Sequence, residues 1–271
     1  MSRRPSRPVR VVASALAAGA LLTTAACSDD GAGSGSRASE ASASPLARQQ
    51  PTYSPSPTLT EAGAQAALIT EADIEDDWTQ VKDTTAENWH DSLLIGTVDV
   101  SDFLTAKADA ADCQRLLDSL FDDDLLGRPS GASALRGFEE GDSRLLYQVA
   151  SYDRTDPQDS LDWMASLPQK CDRFTANDNG EQRTVQVVET SLPDVGDARE
   201  GLLVTVQGTV DDTPATLTLN VAAVRVGADA ITVTAGGLDG DEDDSVKEAL
   251  ENGTQRLEDV RAGKTPAASP S

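Results

Sequence analysis

Few side chains in this 271-residue chain are equipped for covalent or metal chemistry. There are three cysteines, Cys27, Cys113 and Cys171, and one histidine, His90. A serine nucleophile needs a base beside it and a sharp turn to present it. No G-x-S-x-G occurs, and His90, which follows Trp89 in a polar stretch, reads as a surface or loop residue. Structural zinc asks for Cys and His at short spacings, and no C-x-x-C is present. No glycine-rich phosphate cradle is found. Carboxylates number 46, so many that no single pair marks an acid–base site. These residues point away from an enzyme and predict neither a metal nor a cofactor.

Cys27 has a setting of its own. Arg3, Arg4, Arg7 and Arg10 precede an uncharged, largely apolar stretch from Val11 to Ala26 that ends in small residues. That is the layout of an export signal, and it is short for a permanent membrane span. Thr24-Ala25-Ala26-Cys27 resembles the lipobox of bacterial lipoproteins, with Thr24 where Leu or another branched apolar residue is usual. The resemblance implies that Cys27 becomes the mature N-terminus and carries a diacylglyceryl thioether. Two acyl chains anchor stably where one holds only marginally. The predicted location is the outer face of the cell membrane.

With Cys27 acylated, Cys113 and Cys171 remain. In an exported chain an even remainder reads as a disulfide. Closing so long a loop would stabilise the fold by roughly 4 kcal/mol. Metal ligation or redox chemistry by the same pair lacks both C-x-x-C spacing and a nearby histidine.

Four regions follow from composition. Residues 1–26 form the signal peptide, and residues 27–58 a Ser/Gly/Ala/Pro tether stiffening toward Pro51, Pro55 and Pro57. Such a segment buries too little apolar surface to offset its ordering entropy. Residues 59–263 suffice for one well-cored domain, and residues 264–271 form a flexible tail. The formal charge is −24, and removal of the signal takes away four arginines and no carboxylate. That excludes nucleic acid as a partner and electrostatic docking on anionic lipid. The acidic run from Asp239 to Asp244 departs from a calcium loop at Ala235 and Gly237. It reads as a solvated turn whose acids favour the next helix N-terminus.

Apolar spacing then places the elements. A short helix or turn is predicted over Ala67–Trp78 and a helix over Ala106–Leu120. Ala132–Glu139 and Arg144–Tyr152 form a hairpin. Asp156-Pro157 opens a helix that continues past Cys171 to Phe174. Strands follow at Arg183–Glu189, Gly201–Thr209, Pro214–Val226 and Ala230–Ala235. The third changes phase at Ala222-Ala223, which predicts a bulge or bend. Ser245-x-x-Glu248 predicts a capping box for a last helix running to Val260. The fold class is α+β: one antiparallel sheet with helices packed on one face, a single domain, one disulfide.

The order of motifs carries a resemblance. Leu68-Ile69-Thr70-x-Ala72-Asp73-Ile74 leads to Trp78, and a cysteine-bearing helix and a hairpin follow. Next come Leu167-Pro168-x-x-Cys171-x-x-Phe174, Val195-Gly196-Asp197, Val224-Arg225-Val226-Gly227 and a closing amphipathic helix. The arrangement resembles the PknH-like extracellular domains of actinobacteria. Where that family pattern has two disulfides, only one is possible here. The resemblance implies an α+β sheet with a cleft and a sensing or binding role outside the cell, and it transfers no catalytic residue. Aromatic residues are scarce, so Trp78, Trp89, Tyr147 and Trp163 are candidate ligand-lining residues, with plain core as their other reading. Two functions are consistent with this: a membrane-anchored ligand-binding or sensory module, or an envelope lipoprotein that docks to another protein. A hydrolase would need two convergent carboxylates in a deep cleft.

Overall fold

The structure is a computed structural model, and it describes residues 58–75, 77–89, 94–95, 98–152, 156–178, 180–210, 213–238, 240 and 242–266. Cys27, His90, most of the tether and the end of the tail lie outside them. The chain runs α1 (Glu61–Ala66), β1 (Thr79–Gln80), α2 (Asp83–Ala86), β2 (Leu94–Ile95), β3 (Val98–Asp99), β4 (Lys107–Ala108) and α3 (Ala111–Phe121). It continues through β5 (Ser133–Glu140), β6 (Ser143–Ser151), α4 (Asp156–Lys170), β7 (Arg173–Asp178), β8 (Glu181–Glu189) and β9 (Ala198–Val210). β10 (Thr213–Val226), β11 (Asp229–Gly237) and α5 (Asp243–Arg261) complete it. Nine strands form one antiparallel sheet in the order β1-β5-β6-β11-β10-β9-β8-β7-β4. The meander β7–β11 therefore returns to lock against the β5–β6 hairpin, while β2 and β3 pair apart.

The α+β class and the single disulfide are as the sequence implies. The bulge at Ala222-Ala223 is absent: β10 stays in continuous register with β9 and β11 through both residues. The change of phase has another cause. Leu217, Leu219, Val221 and Ala223 point to one core, and Ala222, Val224 and Val226 to a second on the opposite face. A central strand buried on both faces loses its alternation without losing its register.

The helices accordingly divide between the two faces instead of sharing one. α3 and α4 cover the first core with Cys113, Leu116, Leu117, Leu161, Met164 and Leu167. α1 and α5 cover the second with Ala64, Val246, Ala249, Leu250 and Leu257. Nine strands bury hydrophobic residues on both sides of the middle of the sheet, so both sides need a lid.

Two local readings are also corrected. The helix entered at Asp156 ends at Lys170, and Phe174 belongs to β7, whose Phe174 and Ala176 turn toward the first core. At the start of α5 the Ser245/Glu248 capping box does not form, because the helix begins two residues earlier. Ser245 instead accepts a hydrogen bond from Trp78 Nε1 at 3.1 Å and donates to Glu75. Asp73 joins the same seam: its carboxylate accepts from Thr70 N at 2.7 Å and lies 3.4 Å from Arg256, while its carbonyl accepts from Asn252 at 2.9 Å. The entry segment is thereby tied to α5. Gly253 of α5 serves contact instead of propensity, since a Cβ there would lie 2.2 Å from the Tyr147 hydroxyl.

Candidate functional site

A cavity runs along the outward stripe of α3. Ala111, Gln114, Arg115, Asp118, Ser119 and Asp122 recur at three- and four-residue steps, which places them on one helix face. Asp124 and Gly127, from the turn after α3, close one end. The cavity measures about 450 Å³, within the range of small-molecule sites. Its opposite helix face, Cys113, Leu116, Leu117 and Leu120, is buried in the first core. Packing therefore sets the stripe, and the disulfide sets the helix: Cys113 and Cys171 are bonded, with Cα atoms 5.6 Å apart. Lys170 adds an ion pair to Asp112 at 2.9 Å.

The groove is polar. Asp118 accepts from Gln114 at 2.7 Å and pairs with Lys107 at 3.2 Å, while Gln114 also accepts from the Ala108 N–H at 2.7 Å. The Arg115 guanidinium lies 3.9 Å from the centroid of the Trp163 ring. Cation–π contact holds it flat there. Asp123 adopts φ of 54°, turning the chain so that Asp122 and Asp124 both face the groove. Burial raises the Asp124 carboxyl above its ordinary value, and the charge of Asp122 raises it further. Nothing in the groove is a nucleophile with a base. Among the described residues no three His, Cys, Asp or Glu are grouped to hold a metal. What the groove can do is hold a small hydrophilic molecule, with a cationic group near Asp118, Asp122 and Asp124.

The four aromatic candidates do not come together. Trp78 and Tyr147 are buried in the second core and Trp163 in the first. Trp89 is buried over Gly137 of β5, where a Cβ would meet its ring at 2.6 Å. None lines the α3 groove, although Trp163 supports it from behind through Arg115. Sequence reasoning passed over the groove because a polar stripe on an amphipathic helix looks like any solvated face.

The charged groups make stability depend on pH. Burial is the chief cause holding Asp124, Glu140, Glu200 and Asp229 above the ordinary carboxylate range. Asp112 is lowered, chiefly by its hydrogen bond from Lys170. The four raised groups bind protons more tightly folded than unfolded. Their contribution to stability is fully present below the ordinary carboxylate values and is lost as pH rises through the raised ones. The contribution of these four groups to the melting temperature is expected to fall as pH rises from the ordinary carboxylate range, about 4, toward ~7.5 at fixed ionic strength. Thermal melts across that window test this, and a melting temperature that climbs with pH contradicts it.

No protein-family model matches the sequence, and no curated protein matches it. Among solved structures, the chain is similar to an uncharacterised protein of Mycobacterium smegmatis, an Rv0999 ortholog. That match has 16% identity and a TM-score of 0.36, covering 79% of this chain and 99% of that one. It is also similar to the extracellular domain of PknH from Mycobacterium tuberculosis, with 10% identity and a TM-score of 0.44, covering 77% of this chain and 100% of that one.

Proposed function

We propose that the chain is an extracytoplasmic binding or sensory module of the cell envelope, held to the membrane by a lipid on Cys27 and performing no catalysis. The observation that supports this most is the Cys113–Cys171 bond. A disulfide with both cysteines buried between α3 and α4 belongs to an oxidising compartment. The export-signal pattern of residues 1–26 supports the same address independently. No helix among the described residues is long and apolar enough to cross a membrane. In this reading the lipid supplies attachment and the tether supplies reach. The α3 groove holds the ligand, a small polar molecule with a cationic group. Docking to another protein has less support, because the only exposed large hydrophobic side chain among the described residues is Val188. Protein interfaces need a larger apolar centre.

Two measurements test the reading. The chain expressed in its own host with a labelled fatty acid is expected to carry the label and to sediment with membranes, and Cys27→Ser to lose both. Native mass spectrometry of the chain from that envelope is expected to show a retained small molecule. A membrane fraction unchanged by Cys27→Ser would overturn the anchor, and a ligand-free mass would shift support toward the protein-docking alternative.

A further inference from the structure

The sheet is wider than its helices. On the face covered by α1 and α5, Leu192 of the β8–β9 loop closes over Gly201. Beyond it, β7, β8, β9 and the first half of β10 turn a bare surface to solvent, because α4 and α3 lie on the other side. Cross-strand pairing arranges that surface in rows. One row reads Thr175, Thr184, Gln207, Thr216, and the next Arg173, Gln186, Thr205, Thr218. Val188 and Leu203 pair beside them. All of these are exposed or half-buried. In a chain with 46 Asp and Glu, none stands in these rows, and Arg173 at the margin is the sole charge.

Chemistry narrows the partner. A protein interface would need aromatic or aliphatic anchors near its centre, and the surface offers one exposed Val and one half-buried Leu. A charged polymer would need opposing charges, and a second copy of this anionic chain brings its own repulsion. Threonine hydroxyls and glutamine amides both donate and accept hydrogen bonds, and rows of them repeat across strands about 4.8 Å apart. The geometry points to a docking face for a neutral, hydroxyl-rich glycan lying across β7–β10. It adds a second surface to the envelope-module reading and rests on it only for the setting where such a polymer is met. With no aromatic platform, each segment binds weakly, and affinity comes from repeated contact along the polymer.

The test is affinity electrophoresis of the full chain in native gels cast with dextran, galactomannan or a soluble β-glucan, each against a blank gel. The chain's negative charge drives it to the anode, so binding to an uncharged matrix shows as retardation. Retardation is expected in at least one gel. Gln186→Ala and Thr205→Ala should each weaken it about fivefold, the loss of one neutral hydrogen bond, and Thr205→Asp should abolish it. These positions are not buried, so melting temperatures should stay near the parent's. Mobility equal to the blank in all three gels would overturn the proposal. So would retardation that the variants leave unchanged, or a dimer that Thr205→Asp dissociates. Export is not read by this experiment, so its failure and failure of the envelope reading are separate results.

Discussion

Replacing both Cys113 and Cys171 with alanine is expected to lower the stability of the domain by roughly 4 kcal/mol. The two residues are 58 positions apart, and the bond between them shortens a long loop in the unfolded chain. Folded domains are stable by only about 5–15 kcal/mol, so the loss is a large share of the whole. It falls on one seam. α3 and α4 meet through the disulfide, the Asp112–Lys170 pair and the leucines of the first core. With the bond gone, α3 is the element that should loosen first, and the groove with it. Urea titration of the parent, the parent under reductant and the double variant gives the comparison. A loss below about 1 kcal/mol would mean that apolar packing alone closes the loop, against the chain-entropy argument.

Gly236→Ala is expected to cost about 3–5 kcal/mol, from overpacking together with backbone strain. Gly236 has φ of 151°, and a Cβ there would stand 1.9 Å from the Thr218 carbonyl oxygen. That oxygen cannot step aside, because β10 and β11 are paired residue by residue up to Thr218 and Gly237. Gly237 is equally confined, 2.0 Å from the Asp142 carbonyl oxygen by the same construction. The two glycines let the end of β11 pass between β10 and the β5–β6 turn. Gly141→Ala is the control. It has a positive φ of 48° but no atom within 4 Å of a Cβ, so it should cost only about 1–2 kcal/mol. If Gly236→Ala costs no more than Gly141→Ala, the clash has been relieved by a movement of the strand end, and the argument from close approach fails.

Much of this molecule was legible before folding. The β5–β6 hairpin, β8 to β11 and α5 all lie within a few residues of where spacing puts them, since each buries a face and alternation or helical period records it. The cysteine pairing was legible too, from the count of cysteines read together with the sequence pattern around Cys27. β1 and β4 were not, since two residues carry no period. β7 was hidden because its inward pair, Phe174 and Ala176, continues an apolar spacing that begins inside α4. Trp78 illustrates the limit for single residues: its type left a ligand wall and plain core both open, and the structure buries it with a hydrogen bond to Ser245, 167 positions later. By itself the sequence determined the α+β class, the covalent staple and the acidity of the chain, because these depend on local period and composition. The tertiary structure decided which helix covers which face, where the groove opens and which stretch of sheet is left bare. Those depend on elements far apart in the chain, and a strand's periodicity records that a face is buried without recording what buries it.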